Sequence, residues 1–339
     1  MDREKISQQF KHFALNECRG SSELYEYLAL QIAEDDKLLE MARNTKHGQP
    51  IPNLFFASVH YLLLKGSKHA LKDYYASMTE NPKEVKQAFS YFRDFCFIHK
   101  NDIIAILKNK LVQTNEVRRC AYLYPSFCYI YNKVKTPLSL IEIGTSAGLQ
   151  LLWDQYAYSY GDNKKYGNTK SNVHITSEWS GEKKVILFKD SPPVITRIGI
   201  DLHINNLKNP DDYLWLRSLI WPEHKQRVKM FERAANHLKE HHMTLLEGDG
   251  VKLLPDIIAD IQEETTICLF HTHVANQIPT EDKYLLMNMI EKLGRSRNIC
   301  HLYNNMWDAQ LHLDSFIDGK EEREILAETD GHGHWFKWK

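Results

Sequence analysis

Apolar residues recur at helical spacing through the first 135 positions, then change after Thr136-Pro137 to short apolar runs separated by polar turns. Val85, Ala88, Phe89, Phe92, Phe95 and Cys96 line one helical face. Asn81-Pro82-Lys83-Glu84 ahead of them predicts the start of that helix, with Asn as cap, Pro at the first helical position and Glu at the third. Residues 53–65 predict another helix, closed by Gly66, and residues 115–132 a further one that Pro125 must kink or divide. No convincing strand precedes Leu138. The pattern therefore predicts an all-helical N-terminal domain over residues 1–135, acting as a lid or substrate wall.

From residue 136 to 339 strands and helices alternate. Strands are predicted at Leu138–Ile143, 195–200, 243–247, Thr266–His271 and Ile299–Tyr303. Helices are predicted at 148–158, at 212–241 with a break at Trp221-Pro222, and at 281–293. Residues 173–179 and 185–188, separated by Gly181, suggest an inserted hairpin at about 170–190, and Leu311–Ile317 with 324–329 a closing pair of strands. Such alternation implies an α/β domain with a largely parallel sheet and helices on both faces.

Composition narrows the setting. Apolar residues at 43% against 26% charged describe a globular chain, which excludes a disordered one. Residues 1–135 hold 20 Lys and Arg against 15 Asp and Glu, and the remainder is acidic, so the net charge is −1. No basic stripe accompanies that asymmetry, and no nucleic-acid partner is expected. The six cysteines are scattered without a C-x-x-C pair, as in reduced thiols of a cytoplasmic protein. Met1-Asp2-Arg3-Glu4-Lys5 has no apolar stretch behind it, so no secretory leader is expected. The most apolar run, residues 54–64, is interrupted by Ser58 and His60 and is too short for a bilayer, so no membrane partner is expected. The oligomeric state is open.

The chemistry gathers at predicted strand ends. Glu142-Ile143-Gly144-Thr145-Ser146-Ala147-Gly148 is a strand tip with an acid and a small-residue turn, where Gly144 and Gly148 leave room for a ligand near the backbone. Gly199-Ile200-Asp201, Gly248-Asp249-Gly250 and His271-Thr272-His273 end three later strands. Ligands of open α/β sheets bind outside the carboxyl ends of the strands, so these clusters can share one crevice. S-adenosylmethionine fits them. Glu142 would hold the methionine amine, and the turn of Gly144, Thr145, Ser146 and Gly148 would pass under the sugar and methionine. Asp201 would accept from ribose hydroxyls and Asp249 from the adenine amino group. His271 or His273 would take a proton from an oxygen or nitrogen nucleophile; the alternatives are a metal pair, which is not the reading adopted, or hydrogen-bonded histidines at a strand end.

In order and type, Glu142-x-Gly144, Asp201 and Asp249 resemble the class I methyltransferases, which implies a Rossmann-like, methyltransferase-type sheet and S-adenosylmethionine as cofactor. A resemblance over nearly the whole chain is carried by several further stretches. They are Asn115-Glu116-Val117-x-Arg119, Glu142-x-Gly144-x-Ser146-Ala147-Gly148-Leu149, Asp154-x-Tyr156-x-Tyr158, Arg197-x-Gly199-x-Asp201, Trp221-Pro222 and His332-Gly333-x-Trp335. Together they resemble a bacterial family termed domain of unknown function 2332, which implies the same kind of fold and no established substrate. Asn115 and Arg119 either touch substrate over the crevice or join the two domains in a polar network.

The leading expectation is a methyltransferase-like protein acting on an unknown small-molecule or protein acceptor. Two alternatives stand beside it. The altered glycine turn suggests a non-catalytic module that keeps the fold. Gly144-Thr145-Ser146-Ala147-Gly148 also satisfies the serine-hydrolase pattern, with Ser146 as nucleophile and Asp201 or Asp249 and His271, His273 or His332 as partners.

Overall fold

Every residue of the first strand, β1 (Leu138–Ile143), Ser139 and Glu142 included, is buried, as befits a strand with neighbours on both sides. The computed structural model describes residues 2–339. Before β1 come α1 (Arg3–His12), α2 (Glu23–Ile32), α3 (Asp36–Ala42), α4 (Ile51–Leu64), α5 (Ala88–Ile98), α6 (Lys100–Asn109) and α7 (Cys120–Val134). After β1 come β2 (Ala157–Ser159), β3 (Tyr166–Gly167), β4 (His174–Thr176), β5 (Glu178–Gly181) and β6 (Val194–Asp201). Then follow α8 (Pro210–Ser218), α9 (Lys225–Leu238), β7 (Thr244–Glu247), α10 (Gly250–Ala259), β8 (Thr266–His271) and α11 (Thr280–Gly294). The chain closes with β9 (Ile299–Tyr303), β10 (Leu311–Ile317), β11 (Lys320–Thr329) and β12 (Trp335–Trp338).

Two compact units result, and they divide elsewhere than at Pro137. One comprises residues up to Thr114 together with Lys208–Lys229; the other comprises Asn115–Leu207 and Met230–Lys339. The helical unit has an aromatic core in which Tyr25 stacks on Phe56 at 4.2 Å and Trp221 meets Phe13 edge-on at 5.5 Å. Its second segment is tied in by polar contacts: Trp215 Nε1 donates to Leu111 O (2.9 Å), and Glu223 accepts from Ser22 Oγ (2.8 Å) and Leu24 N (3.1 Å). Trp221-Pro222 therefore belongs to this core.

The other unit is mixed α/β around a nine-stranded, mostly parallel sheet ordered β5-β12-β11-β10-β9-β8-β1-β6-β7. From β1 the chain moves outward to β6 and β7, then returns across to β8 on the other side, so the connections leaving β1 and β8 diverge. Register sets Glu142 beside Gly199 of β6 and Phe270 of β8. Ile141, Ile143 and Leu269 face a core shared with Leu254 of α10 and Leu286 and Ile290 of α11. By strand alternation Phe270 points the other way, where Phe127 of α7 meets it at 5.4 Å and also stacks on Trp153 at 4.5 Å. Those rings are why α7 belongs to the sheet unit. Pro125 does not divide α7: the Ala121 carbonyl that Pro125 cannot engage accepts from Tyr160 Oη instead, at 2.8 Å. No described helix is long and apolar enough to cross a membrane.

Three expected elements differ. The helix expected from Asn81 begins at Ala88, after a 3₁₀ turn at Val85–Gln87, because Lys83 N is bound to Asp73 O. Residues 148–158 form only 3₁₀ turns over Leu149–Gln155, where Tyr156 Oη donates to the Leu149 carbonyl and Tyr158 Oη to that of Trp153, before β2 begins. The hairpin at about 170–190 is absent. Instead, β4 pairs with β2 in a small three-stranded sheet, β5 pairs in parallel with β12, and residues 185–188 form no strand. Gly181 is needed for close approach, since a Cβ there would lie 2.1 Å from Trp338 O.

Candidate functional site

Glu142 ends a fully buried strand and is itself 2% exposed. Thr145 Oγ1 donates to its Oε2 at 2.6 Å, while Oε1 makes no hydrogen bond. Burial, with Asp201 adding to it, pushes the carboxyl well above its ordinary range against the opposing Thr145 hydrogen bond and the Arg119 charge. The site thus contains a buried acid without a matching cation in hydrogen-bond contact.

The turn after Glu142 is held from two sides. Gly144 N and Thr145 N both donate to Ile200 O of β6, and Ser146, at φ +53°, donates its N–H to Asp201 Oδ2 at 2.7 Å. Asn115 clamps the other side: Nδ2 donates to Thr145 O (2.7 Å) and Oδ1 accepts from Leu149 N (3.2 Å). Both the nitrogen and the oxygen of the Asn115 amide are thereby used on the turn, a positioning contact. The room expected at the glycines is also filled. A Cβ on Gly144 would lie 2.2 Å from a Val274 methyl, and one on Gly148 would lie 2.5 Å from Met243 Sδ. These glycines serve positive φ and close packing within the protein.

Glu142, Asp201 and Asp249 do lie at the carboxyl ends of the neighbouring strands β1, β6 and β7. Asp249, however, is the N-cap of α10: Oδ1 accepts from Val251 N (3.0 Å) and Lys252 N (3.4 Å), and Oδ2 pairs with Lys252 Nζ at 3.1 Å. Its carboxylate thus caps the helix, with the side chain still about a third exposed at 35%.

The two histidines separate. His271 has no exposed surface, and its Nε2 lies 3.1 Å from Nε2 of His301, also fully buried. It shares the sheet face of Leu269 and the α11 core, opposite to that of Glu142 and Phe270, so the catalytic expectation for His271 is not met. His273 lies past the strand at φ +56°. Its N–H donates to Asn304 Oδ1 (2.9 Å), and Asn305 Nδ2 donates to its Nδ1 (3.0 Å). The neutral ring therefore carries its proton on Nε2, which is buried without a partner. Burial, then Arg119 and His332, depress its pKa to about 3. With Nδ1 taken by Asn305, the ring presents Nε2 as a hydrogen-bond donor.

Around His273 a polar cluster closes over the ends of β1, β8 and β9. Arg119 Nε donates to Gly331 O at 2.9 Å, Arg118 reaches the His334 ring, and the backbone of Gly333 presses on that of Arg118. The terminal His332-Gly333-x-Trp335 stretch is thus docked on the start of α7. Thr272 Oγ1 donates to Gln150 Oε1 (2.9 Å), and Gln150 Nε2 to Glu116 O (3.3 Å). Tyr122, completely buried, lies toward Thr272 and Asn304 with its hydroxyl unpartnered. Sequence reading overlooked Tyr122, Asn304 and Asn305. The strand-end rule applied to β9 would have found the two asparagines, whereas Tyr122 reads as core. Asp154 binds Arg197 inside the unit, a structural pair.

Ser146 is 2% exposed, and its hydroxyl accepts from Asn205 Nδ2 at 3.3 Å. His271 and His273 are bonded to His301 and to Asn304 and Asn305, and neither meets Ser146, so those serine–histidine pairings are not formed.

The chain belongs to the family described as an uncharacterized protein conserved in bacteria, domain of unknown function 2332, whose model matches residues 7–338. No curated protein and no solved structure matches it.

Proposed function

We propose that this member of a bacterial family binds S-adenosylmethionine at the carboxyl end of β1 and transfers its methyl group to an oxygen or nitrogen of a small molecule or protein. The carrying observation is Glu142: a buried carboxyl whose Oε1 lacks a hydrogen bond, beside a turn held by Asp201. An ammonium group would supply the missing charge, and a buried acid paired in this way returns to its ionised form. The strand order supports a Rossmann-like reading, since the order of the five parallel strands β7-β6-β1-β8-β9 switches sides between β1 and β8, beside that acid. Ser146 and Asp201 shape the turn, and Asp249 is left out of the contact set.

Calorimetry with S-adenosylmethionine and S-adenosylhomocysteine tests the reading. Binding is expected, with Glu142→Gln weakening it at least tenfold, in keeping with the ~2–5 kcal/mol lost when one partner of a buried charged pair is truncated. Silence from both ligands at millimolar concentration sinks it. The side chains occupying the space beside Gly144 and Gly148 favour a second reading, a binding module without transfer chemistry. Binding of both ligands without methyl transfer to any acceptor would select that one.

A further inference from the structure

Two buried donors, on His273 and Tyr122, find no acceptor in the fold. His273 carries an Nε2 proton with no acceptor, although Asn304 and Asn305 fix its backbone and its ring. Tyr122, in the first turn of α7, holds a buried hydroxyl that makes no hydrogen bond of ordinary geometry, with Thr272 and Asn304 as its polar neighbours. Asn304 adjoins both residues, since its Oδ1 takes the His273 N–H. Arg119, 9% exposed and tethered through Nε to Gly331 O, adds positive charge within electrostatic reach of Tyr122, His273 and Glu142. A buried donor left unmade costs about 1–3 kcal/mol. Two of them beside a cation form a site prepared for an anionic oxygen.

We propose that Tyr122, His273 and Arg119 bind the carboxylate of a small organic acid, and that an oxygen of this carboxylate is the methyl acceptor. The second half rests on the cofactor reading above. The chemistry suits the residues present. A carboxylate is already ionised at neutral pH, so no base has to remove a proton, and His273 as donor is not asked to act as one. A lone pair on the carboxylate oxygen forms the new O–C bond as the sulfonium C–S bond breaks. The C–S electrons pass to sulfur, giving a methyl ester and S-adenosylhomocysteine. No proton is transferred, and no further reactant is required.

Titration of the full chain with sodium acetate, sodium benzoate and inorganic phosphate, alone and with S-adenosylhomocysteine, tests the subsite. A carboxylate is expected to bind, and Tyr122→Phe and His273→Asn should each weaken it at least tenfold while S-adenosylhomocysteine affinity stays within twofold. Both substitutions are mild: the first keeps the ring, and asparagine tolerates the positive φ of residue 273. Carboxylate affinity unchanged in both variants, binding of phosphate but of no carboxylate, or no anion binding at all overturns the subsite. The acceptor is tested with methyl-tritiated S-adenosylmethionine and a defined mixture of mono- and dicarboxylic acids. Label released as volatile methanol by mild alkali is expected; alkali-stable label, or none in any acid, overturns the acceptor role. If S-adenosylhomocysteine fails to bind, the cofactor reading and the acceptor role fall together, while the carboxylate titration still decides the subsite.

Discussion

Burial disfavours the charged form of both Glu142 and His273, yet the two bias stability in opposite directions. The folded pKa of Glu142 lies well above its unfolded value of about 4.3, so the fold keeps a proton that the unfolded chain has lost. Its contribution is complete below that pH and is lost as pH rises through the folded value. His273 has a folded pKa of about 3 against an unfolded value of about 6.5; its contribution is complete above the latter and is lost as pH falls. Between those two unfolded values the groups contribute slopes of opposite sign. Urea unfolding between about pH 4.5 and 6 should therefore show a pH slope shifted toward falling stability in His273→Asn and toward rising stability in Glu142→Gln. Unchanged slopes in both would mean that the side chains titrate as if exposed. Glu142, Ser146, Asp201, Arg119 and His273 could be singled out in the sequence because each is a polar residue beside apolar neighbours. Tyr122 was not, because a tyrosine on an apolar helical face looks the same whether or not its hydroxyl has a partner. The protonation site of His273 depended on Asn305, thirty-two positions away.

Elements were legible where one local signal had no competitor. β1, β8, β9 and β10 run over the expected residues, since each is a short, predominantly apolar stretch between polar or breaking residues. Misreadings arose where a distant group claimed a backbone atom. Tyrosine hydroxyls took the carbonyls of Leu149 and Trp153, and Asp73 O took the amide of Lys83 in the apparent capping sequence. Gly181 looked like a hairpin turn because sequence alone cannot distinguish a glycine that bends the chain from one that admits a neighbouring backbone. Asp249 poses the same ambiguity for a single element: strand-end ligand contact or helix cap. As the cap of α10, its replacement in Asp249→Ala should cost about 1 kcal/mol in unfolding free energy and leave S-adenosylhomocysteine affinity within twofold. A tenfold weaker ligand with unchanged stability would return Asp249 to the cofactor site.

At the scale of the whole molecule, the helical unit is assembled from two stretches of chain, the second interrupting the sheet unit between β6 and β7. Periodicity identified both stretches as helical. It could not assign them to a unit, because that depends on which rings meet. The boundary at Thr136-Pro137 marks where the pattern changes from helices to strands, but α7 on its helical side supplies Tyr124 and Phe127 to Tyr158, Trp153 and Phe270. A fragment of residues 136–339 therefore uncovers those rings, each worth roughly 2–3 kcal/mol of burial. A fragment of residues 115–339 keeps α7 but carries Trp215 and Leu216, buried in the full chain, without residues up to Thr114 that complete their unit. Both fragments should aggregate or bind a hydrophobic dye, as read by light scattering and fluorescence, whereas the full chain should do neither. A soluble, dye-silent fragment of residues 136–339 would mean that α7 is dispensable to the sheet. Arg119 and Tyr122 would then have to be removed from the site as well, because α7 carries Tyr122 and the turn before it carries Arg119.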